Sequence, residues 1–409
     1  MLSTPQVSEP IPDRDGRGPS RALAFLAVAA GLGVANLYYA QPLAETMART
    51  FGASAAAIGL CLMNCQLGYA LGMVLLVPLG DGRERRRLMV TTSLAASVAL
   101  LLVATAPSYP VLLVTSFVLG FTSCLPQMAV PFAVTLVGDK ERGRAIGVVM
   151  GGLLTGILLS RVASGLLASV IGWRLTLASA AGLMALLACG LRFGLPAQRP
   201  RQPLAWVGMI RSLPSVLASE PLLRRHAVMG ALGFASFSAF WSTLSFQLAR
   251  LDYGARTAGL FGVIGLVGVA AAPIVGRLSG RIRPTSINAA GHAVAALSFG
   301  VMWLMSGSIV GLLLGTVLLD AGAQSTHLAN QTVILGLKAE LRNRINAIYM
   351  VSFFAGGALG TAAAAFAWEA GGFGGVCAAG ALLALLGLLP LIGYPRGDTA
   401  TAKARFAGD

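Results

Sequence analysis

Apolar residues along the chain gather into long runs broken by short clusters of charge. A helix needs about 20 mostly apolar residues to cross a bilayer. The runs predict spans at residues 22–44, 54–79, 88–106, 110–137, 145–168 and 175–195, and again at 226–249, 257–279, 287–305, 308–335, 345–368 and 375–394. Between the two sets lies one long loop, residues 196–225. It opens Pro196-Ala197-Gln198-Arg199-Pro200-Arg201-Gln202-Pro203 and continues into an apolar and basic stretch, Leu204 to Leu217, that suits an interfacial helix. The pattern divides the chain into a tail (1–21), an N-terminal six-helix bundle (22–195), a linker (196–225), a C-terminal six-helix bundle (226–394) and a second tail (395–409).

The two sets look like repeats. A shift of 200 residues places Arg142, Arg144 and Met150 on Arg342, Arg344 and Met350, and Gln127 on His327, while a shift of 199 places Leu79 on Leu278. Near-equal offsets support a parallel duplication, an arrangement found in transporters that carry their site between the repeats. The fold expected is an all-α integral membrane protein, with twelve transmembrane helices in two pseudo-symmetric bundles around a central cavity.

Composition narrows the function. Of 409 residues, 56% are hydrophobic and 11% charged, against roughly 25% charged in soluble domains, which excludes a soluble globular enzyme. Lys plus Arg outnumber Asp plus Glu by 30 to 15, a balance that nucleic-acid binding could explain. The positions of the charges argue otherwise. Twenty-five of the 30 basic residues fall in the tails and loops of one side, four (Arg49, Arg174, Arg250 and Arg256) on the other, and Arg161 alone inside a span. Basic loops stay cytoplasmic, so both termini are expected there, and no nucleic-acid partner is needed. The first 20 residues lack a signal peptide's basic start, apolar run and cleavage site and are expected to form a disordered tail. Cys61, Cys65, Cys124, Cys189 and Cys377 lie in apolar segments and are expected as small buried hydrophobes. No metal-ligand cluster accompanies them, and neither metal nor cofactor is expected.

Polar residues inside the spans carry the candidate chemistry. The tenth span holds Thr316, Asp320, Gln324, His327 and Gln331 on one narrow face, and the fourth holds Ser116, Gly120, Ser123 and Gln127 on the related one. For Ser, Thr and Gln the bland alternative is hydrogen bonding between helices. Asp320 differs, because a carboxylate near the bilayer centre costs roughly 2.5–3.5 kcal/mol on insertion scales. It is the one acidic residue well inside a span and is the expected proton carrier. His327, two turns nearer the cytoplasm, is either a second proton site or a polar liner. Arg161 and Asp320 overlap in height, about 24 Å and about 18 Å from opposite sides at 1.5 Å per residue. Arg161 could therefore pair with Asp320, hold an anionic substrate group, or bond backbone carbonyls. Asn36 and Tyr39 share a face of the first span, and Ser238, Trp241, Ser242 and Ser245 mark the seventh.

The loop after the second span reads Val77-Pro78-Leu79-Gly80-Asp81-Gly82-Arg83-Glu84-Arg85-Arg86. It resembles the G-x-L-A-D-R-x-G-R-R loop of the major facilitator superfamily, matching at Leu79, Asp81, Arg85 and Arg86. The stretch Asn36-Leu37-Tyr38-Tyr39-Ala40-Gln41-Pro42-Leu43 is similar to the first helix of bacterial members of its drug and sugar efflux branch. Two features of that branch are missing. The fourth span reads Ser116-Phe117-Val118-Leu119-Gly120 without the family's Arg, and Ile157 stands where the antiporter signature has Pro.

The resemblance implies a central cavity lined by spans 1, 4, 7 and 10, with Asn36, Tyr39, Gln127, Trp241 and Gln324 as cavity residues; Arg161, in the fifth span and not called for by the family signature, joins them on its depth alone. The resemblance also implies a conformational gate of Asp81, Arg85 and Arg86, with Asp81 near the start of span 11 around Ile345. The expected function is proton-coupled export of small, partly apolar compounds across the bacterial inner membrane, by a monomer whose partners are substrate, protons and lipid. Proton symport of an organic anion is the alternative, favoured by Arg161. A membrane enzyme is not expected: the chain has neither H-E-x-x-H nor G-x-S-x-G, and His226, His292 and His327 fall on three separate spans.

Overall fold

The computed structural model describes residues 19–138, 141–197, 206–265, 282–338 and 341–394. In chain order its helices are α1 (Pro19–Ala35), α2 (Ala44–Phe51), α3 (Ala55–Leu75), α4 (Leu79–Gly82), α5 (Arg85–Ala104), α6 (Tyr109–Thr122) and α7 (Leu125–Thr135). There follow α8 (Arg142–Gly194), α9 (Trp206–Ser219), α10 (Pro221–Arg250), α11 (Ala255–Leu260, continued by a 3-10 turn, Phe261–Ile264), α12 (Pro284–Leu304), α13 (Ile309–Leu335) and α14 (Arg342–Leu386). Among the described residues there is no strand. Among the described residues eight helical stretches are long and apolar enough to cross a membrane, α6 and α7 counting as one, while α1 and the α11 segment are shorter apolar helices. Most of the eighth expected span, residues 266–279, lies outside the described residues.

Local chemistry sets the helix starts. The Ser54 side chain accepts from the Ala57 N–H at the start of α3, and Ser308 accepts from Val310 at the start of α13. Proline occupies the first turn of α6, α7, α10 and α12, where its missing N–H leaves no helical bond unmade. Proline bears on two corrections. The first span was expected to run to residue 44, but α1 stops at Ala35, and 36–43 continue as successive turns tied by Tyr38 N–H to Ala35 O (2.9 Å) and Gln41 N–H to Tyr38 O (3.2 Å). Pro42 has no N–H to offer the Tyr38 carbonyl, so the α-helical ladder is not restored across these turns. The fourth span breaks between α6 and α7 because Pro126 has no N–H for the carbonyl four residues back.

The helices α8 and α14, with 53 and 45 residues, would reach about 80 and 70 Å at 1.5 Å per residue, against about 30 Å of hydrocarbon. Each therefore folds back at a glycine elbow. Gly172 has φ 77° and ψ 162°, and Gly372 has φ 58° and ψ −147°, a region essentially closed to residues with a side chain. The reversal is visible in the packing. On either side of Gly172, Gly152 abuts Ala27 while Gly190 and Gly194 abut the Phe25 ring, all on α1. On either side of Gly372, Gly360 abuts Ala235 while the carbonyl of Gly380 accepts from Ser236 Oγ at 3.0 Å, both on α10. The loops expected around 169–174 and 369–374 are thus single elbows, and they stand 200 residues apart, the offset of the sequence repeat. The expected interfacial segment is α9, and α10 begins at Pro221, which shortens the expected 196–225 linker.

Buried apolar residues form one large cluster drawn mainly from positions 22–195 and another from 239–384. The N-terminal and C-terminal helices meet along two seams. In one, α3 meets α14: Gly59 abuts Ala365, the Tyr69 and Phe354 rings lie 4.5 Å apart, and Ala56 N–H donates to Glu369 Oε1 at 3.0 Å. In the other, α8 meets α11, with Gly165 against Gly259 so closely that a Cβ on Gly165 would lie 2.5 Å from Ala255 O and 2.7 Å from Gly259 Cα.

Candidate functional site

At the inner end of the α8–α11 seam, four chain segments bring polar side chains together in an otherwise apolar interior. Arg161 projects from α8 and is 2% exposed. Its Nε donates to Gln41 Oε1 at 2.9 Å, in the turn region that follows α1, and its Nη2 is buried with no hydrogen-bond partner. The guanidinium carbon lies 4.0 Å from the Trp241 ring centre on α10 and 4.6 Å from that of Tyr38. Such contacts contribute about 2 kcal/mol when desolvated. Trp241 in turn directs its indole N–H at Asp320 Oδ1 on α13, 3.4 Å away, and Asp320 is 4% exposed. Gly262 and Gly265 close the site from the α11 side, beside Arg161 Cβ and Asp320 Oδ2.

Arg161 and Asp320 therefore share one site without forming a direct ion pair. Trp241 mediates between them, its ring face toward the cation and its N–H toward the carboxylate. Among the three roles open to Arg161, neither the direct pair nor a bond to backbone carbonyl occurs in this conformation. Gln41 and Tyr38, which lie beside the face of Asn36 and Tyr39, belong to this centre. The signal was present in Gln41-Pro42, since proline disfavours regular helix at the residue before it and so marks a polar side chain at a break within the membrane.

The other expected site residues are placed elsewhere. His327 shares a hydrogen bond of 3.1 Å with Tyr349 Oη on α14, its ring 4.6 Å from Phe353, and makes none with Asp320. Gln324 is half-buried on α13 between the two. Gln127 donates to Tyr69 Oη at 3.3 Å along the α3–α14 seam. Asn36 and Tyr39 line a cavity of about 20 Å³ between the turns that follow α1 and helices α2, α3, α5, α6 and α8, shared with Ser116 and Leu177, inside the N-terminal helices. The Asn36 amide is buried there without a partner. On the seventh-span face, Ser242 bonds its own helix, whereas Ser245 Oγ is buried unpartnered in a narrow space bounded by Gln41 and Trp241.

Of the expected gate residues, Asp81 lies on the single turn α4. Arg85 donates to Gly80 O (3.2 Å) and Pro131 O (3.3 Å). Arg86 donates to Leu195 O (3.2 Å) and sits 3.3 Å from Glu84. Both arginines thus tie α5 to neighbouring N-terminal elements. Among the described residues no cluster of His, Cys, Asp and Glu could hold a metal ion.

Known proteins agree with a transporter. The family described as Major Facilitator Superfamily matches residues 23–361. The uncharacterized transporter YgaY of Escherichia coli O157:H7 is 40% identical over 369 residues, covering 90% of this chain and 94% of its own. SCO4007 of Streptomyces coelicolor, named a "Probable transporter", is 35% identical over 404 residues, covering 94% and 93%. The crystal structure of a bacterial homologue of the human lysosomal transporter Spinster, inward-facing and occupied, superimposes with a TM-score of 0.73 at 16% identity, over 92% of this chain and 96% of that one. That likeness is one of fold. Matched over most of its length by family and relatives alike, the chain belongs to the Major Facilitator Superfamily and is a membrane transporter, not an enzyme.

Proposed function

We propose that this transporter is proton-coupled and exports small, partly apolar compounds from the bacterial cytoplasm by alternating access. In this reading it is a monomer of the inner membrane with twelve spans in two six-helix bundles and both termini cytoplasmic, and substrate moves along the seam between the bundles. The observation that carries it is Asp320, a carboxylate 4% exposed, set beside the buried cation Arg161 across one indole ring where N-terminal and C-terminal helices meet. A group in that position changes its surroundings whenever the seams open or close, and a change of surroundings loads or releases a proton. One proton moving down about 100 mV supplies about 2.3 kcal/mol, enough for a gradient of roughly 45-fold. His327, held by Tyr349, is a polar liner in this scheme.

The test is transport in proteoliposomes driven by an imposed pH gradient, across a compound panel. Wild-type protein moves substrate against its gradient. Asp320→Asn, which mimics the protonated acid, loses that drive and keeps downhill exchange. Gradient-driven transport that survives in Asp320→Asn removes Asp320 from the coupling. A second reading, uptake of an organic anion by proton symport, draws on the free Nη2 of Arg161. The sign of the proton flux induced by substrate separates the two.

A further inference from the structure

We infer that the substrate of this site is a small zwitterion, its carboxylate taken by Arg161, its ammonium by Asp320, and its apolar part set against Tyr38, Phe237 and Trp241. The inference rests on the export reading above and names its substrate class.

With Asp320 ionised, as in the occupied site, two opposite charges share one buried site and do not neutralise each other by contact. Arg161 spends Nε on Gln41 and keeps Nη2 unpartnered. Asp320 receives one long contact of 3.4 Å from an indole N–H, beyond the usual 2.7–3.2 Å of a good bond. Ser245 Oγ is a third buried polar group without a partner, and it shares its narrow space with Gln41 and Trp241. Three underused polar groups around one indole describe a receptor for a ligand that is itself polar at two ends.

Charge decides the ligand class. A lone anion on Arg161 would bring a second negative charge next to Asp320, and a lone cation on Asp320 would leave Arg161 facing another positive charge. An isolated buried charge is expensive unless paired. A zwitterion satisfies both groups at once with no net charge added. The guanidinium is suited to a carboxylate because its fork matches two oxygens. The aromatic rings at 4.0, 4.6 and 6.0 Å from the guanidinium carbon supply the apolar wall.

The same geometry gives exchange for protons. Among the described residues Arg161 is the charged group acting on Asp320, with Tyr38 against that guanidinium. In the empty site Asp320 carries a proton; an arriving ammonium displaces it to water and pairs with the carboxylate that remains. A proton returns when the ammonium departs on the other side, so substrate and proton move in opposite directions.

Purified full-length protein is titrated with leucine, phenylalanine and tryptophan, each as the free amino acid, the N-acetyl derivative (anion only) and the methyl ester (cation only). Binding is read by thermal stabilisation at fixed pH. At least one free amino acid is expected to bind, with both blocked forms of that skeleton at least tenfold weaker. Asp320→Asn should bring the free acid down to the level of its N-acetyl form, and Arg161→Gln down to that of its ester. Equal binding of a blocked form, or no binding by any of the three skeletons, overturns the inference. Because no pH gradient is applied, failure here leaves proton-driven export standing, and loss of proton-driven transport leaves the binding result standing.

Discussion

Gly165→Ala should push the α8–α11 seam open. The added methyl would lie 2.5 Å from Ala255 O, 2.7 Å from Gly259 Cα and 2.9 Å from Gly259 N. All three are backbone atoms, so no side-chain rotation relieves the contact and the two segments must separate. Overpacking of this kind costs typically 1–3 kcal/mol. If opening the seam relieves that strain, the balance between closed and open seam shifts by about 5- to 140-fold. Spin labels at Ser169 on α8 and Arg256 on α11, both exposed, report the separation. Cys189, also exposed, is first replaced by Ser. The expected result is a longer-distance population in Gly165→Ala with reduced transport. Gly151→Ala is the internal control, since a Cβ there meets nothing within 4 Å. It should leave the distances unchanged and stabilise its helix by up to about 1 kcal/mol. Identical distances and turnover in Gly165→Ala and the parent would refute the reasoning.

Arg161→Leu should fold and lose at least tenfold in transport, while Arg161→Lys keeps part of the activity through its charge but loses the planar fork; a fully active Leu variant removes Arg161 from the site. Asp81→Asn, at the position where the family resemblance sets a carboxylate near a helix start, should express normally and transport about two- to fivefold more slowly, from the 0.3–1 kcal/mol of such an interaction; unchanged initial rates would exclude it. Single cysteines at 83, 211 and 342 in the Cys189→Ser background should resist an impermeant thiol reagent added to intact cells, and labelling from outside at any of them overturns the cytoplasmic assignment of the basic loops.

Much of the fold was legible because lipid leaves few choices: backbone groups must be bonded within a helix, so apolar runs announce spans. Breaks inside the runs were less visible. Gly172 sits among many glycines, and its positive φ has no signature separate from theirs; Pro42 and Pro126 did carry the signal, yet a run of hydropathy reads straight through them. The site was legible in depth and not in rotation. Spacing put Arg161 and Asp320 at overlapping heights and hydropathy marked both as anomalies, but the angle at which each helix faces its neighbours is set by packing. That angle inserts Trp241 between the charges, turns His327 toward Tyr349, and leaves Asn36 and Tyr39 inside the N-terminal helices. Gln41 reaches Arg161 because the chain leaves the regular helix after Ala35 and runs on in turns, which the hydropathy of the run does not reveal.

The glycine elbows bear on how the chain enters the membrane. An ordinary pair of spans is joined by a polar loop that the insertion machinery must carry across by itself. At Gly172 and Gly372 that burden is reduced to one turn, flanked by Arg174 and by Glu369 as the nearest charges. Each pair of antiparallel helices can then leave the translocation channel together as one hairpin. Lengthening either elbow with a polar insert would separate the two insertion events and leave the first helix waiting in lipid for its mate.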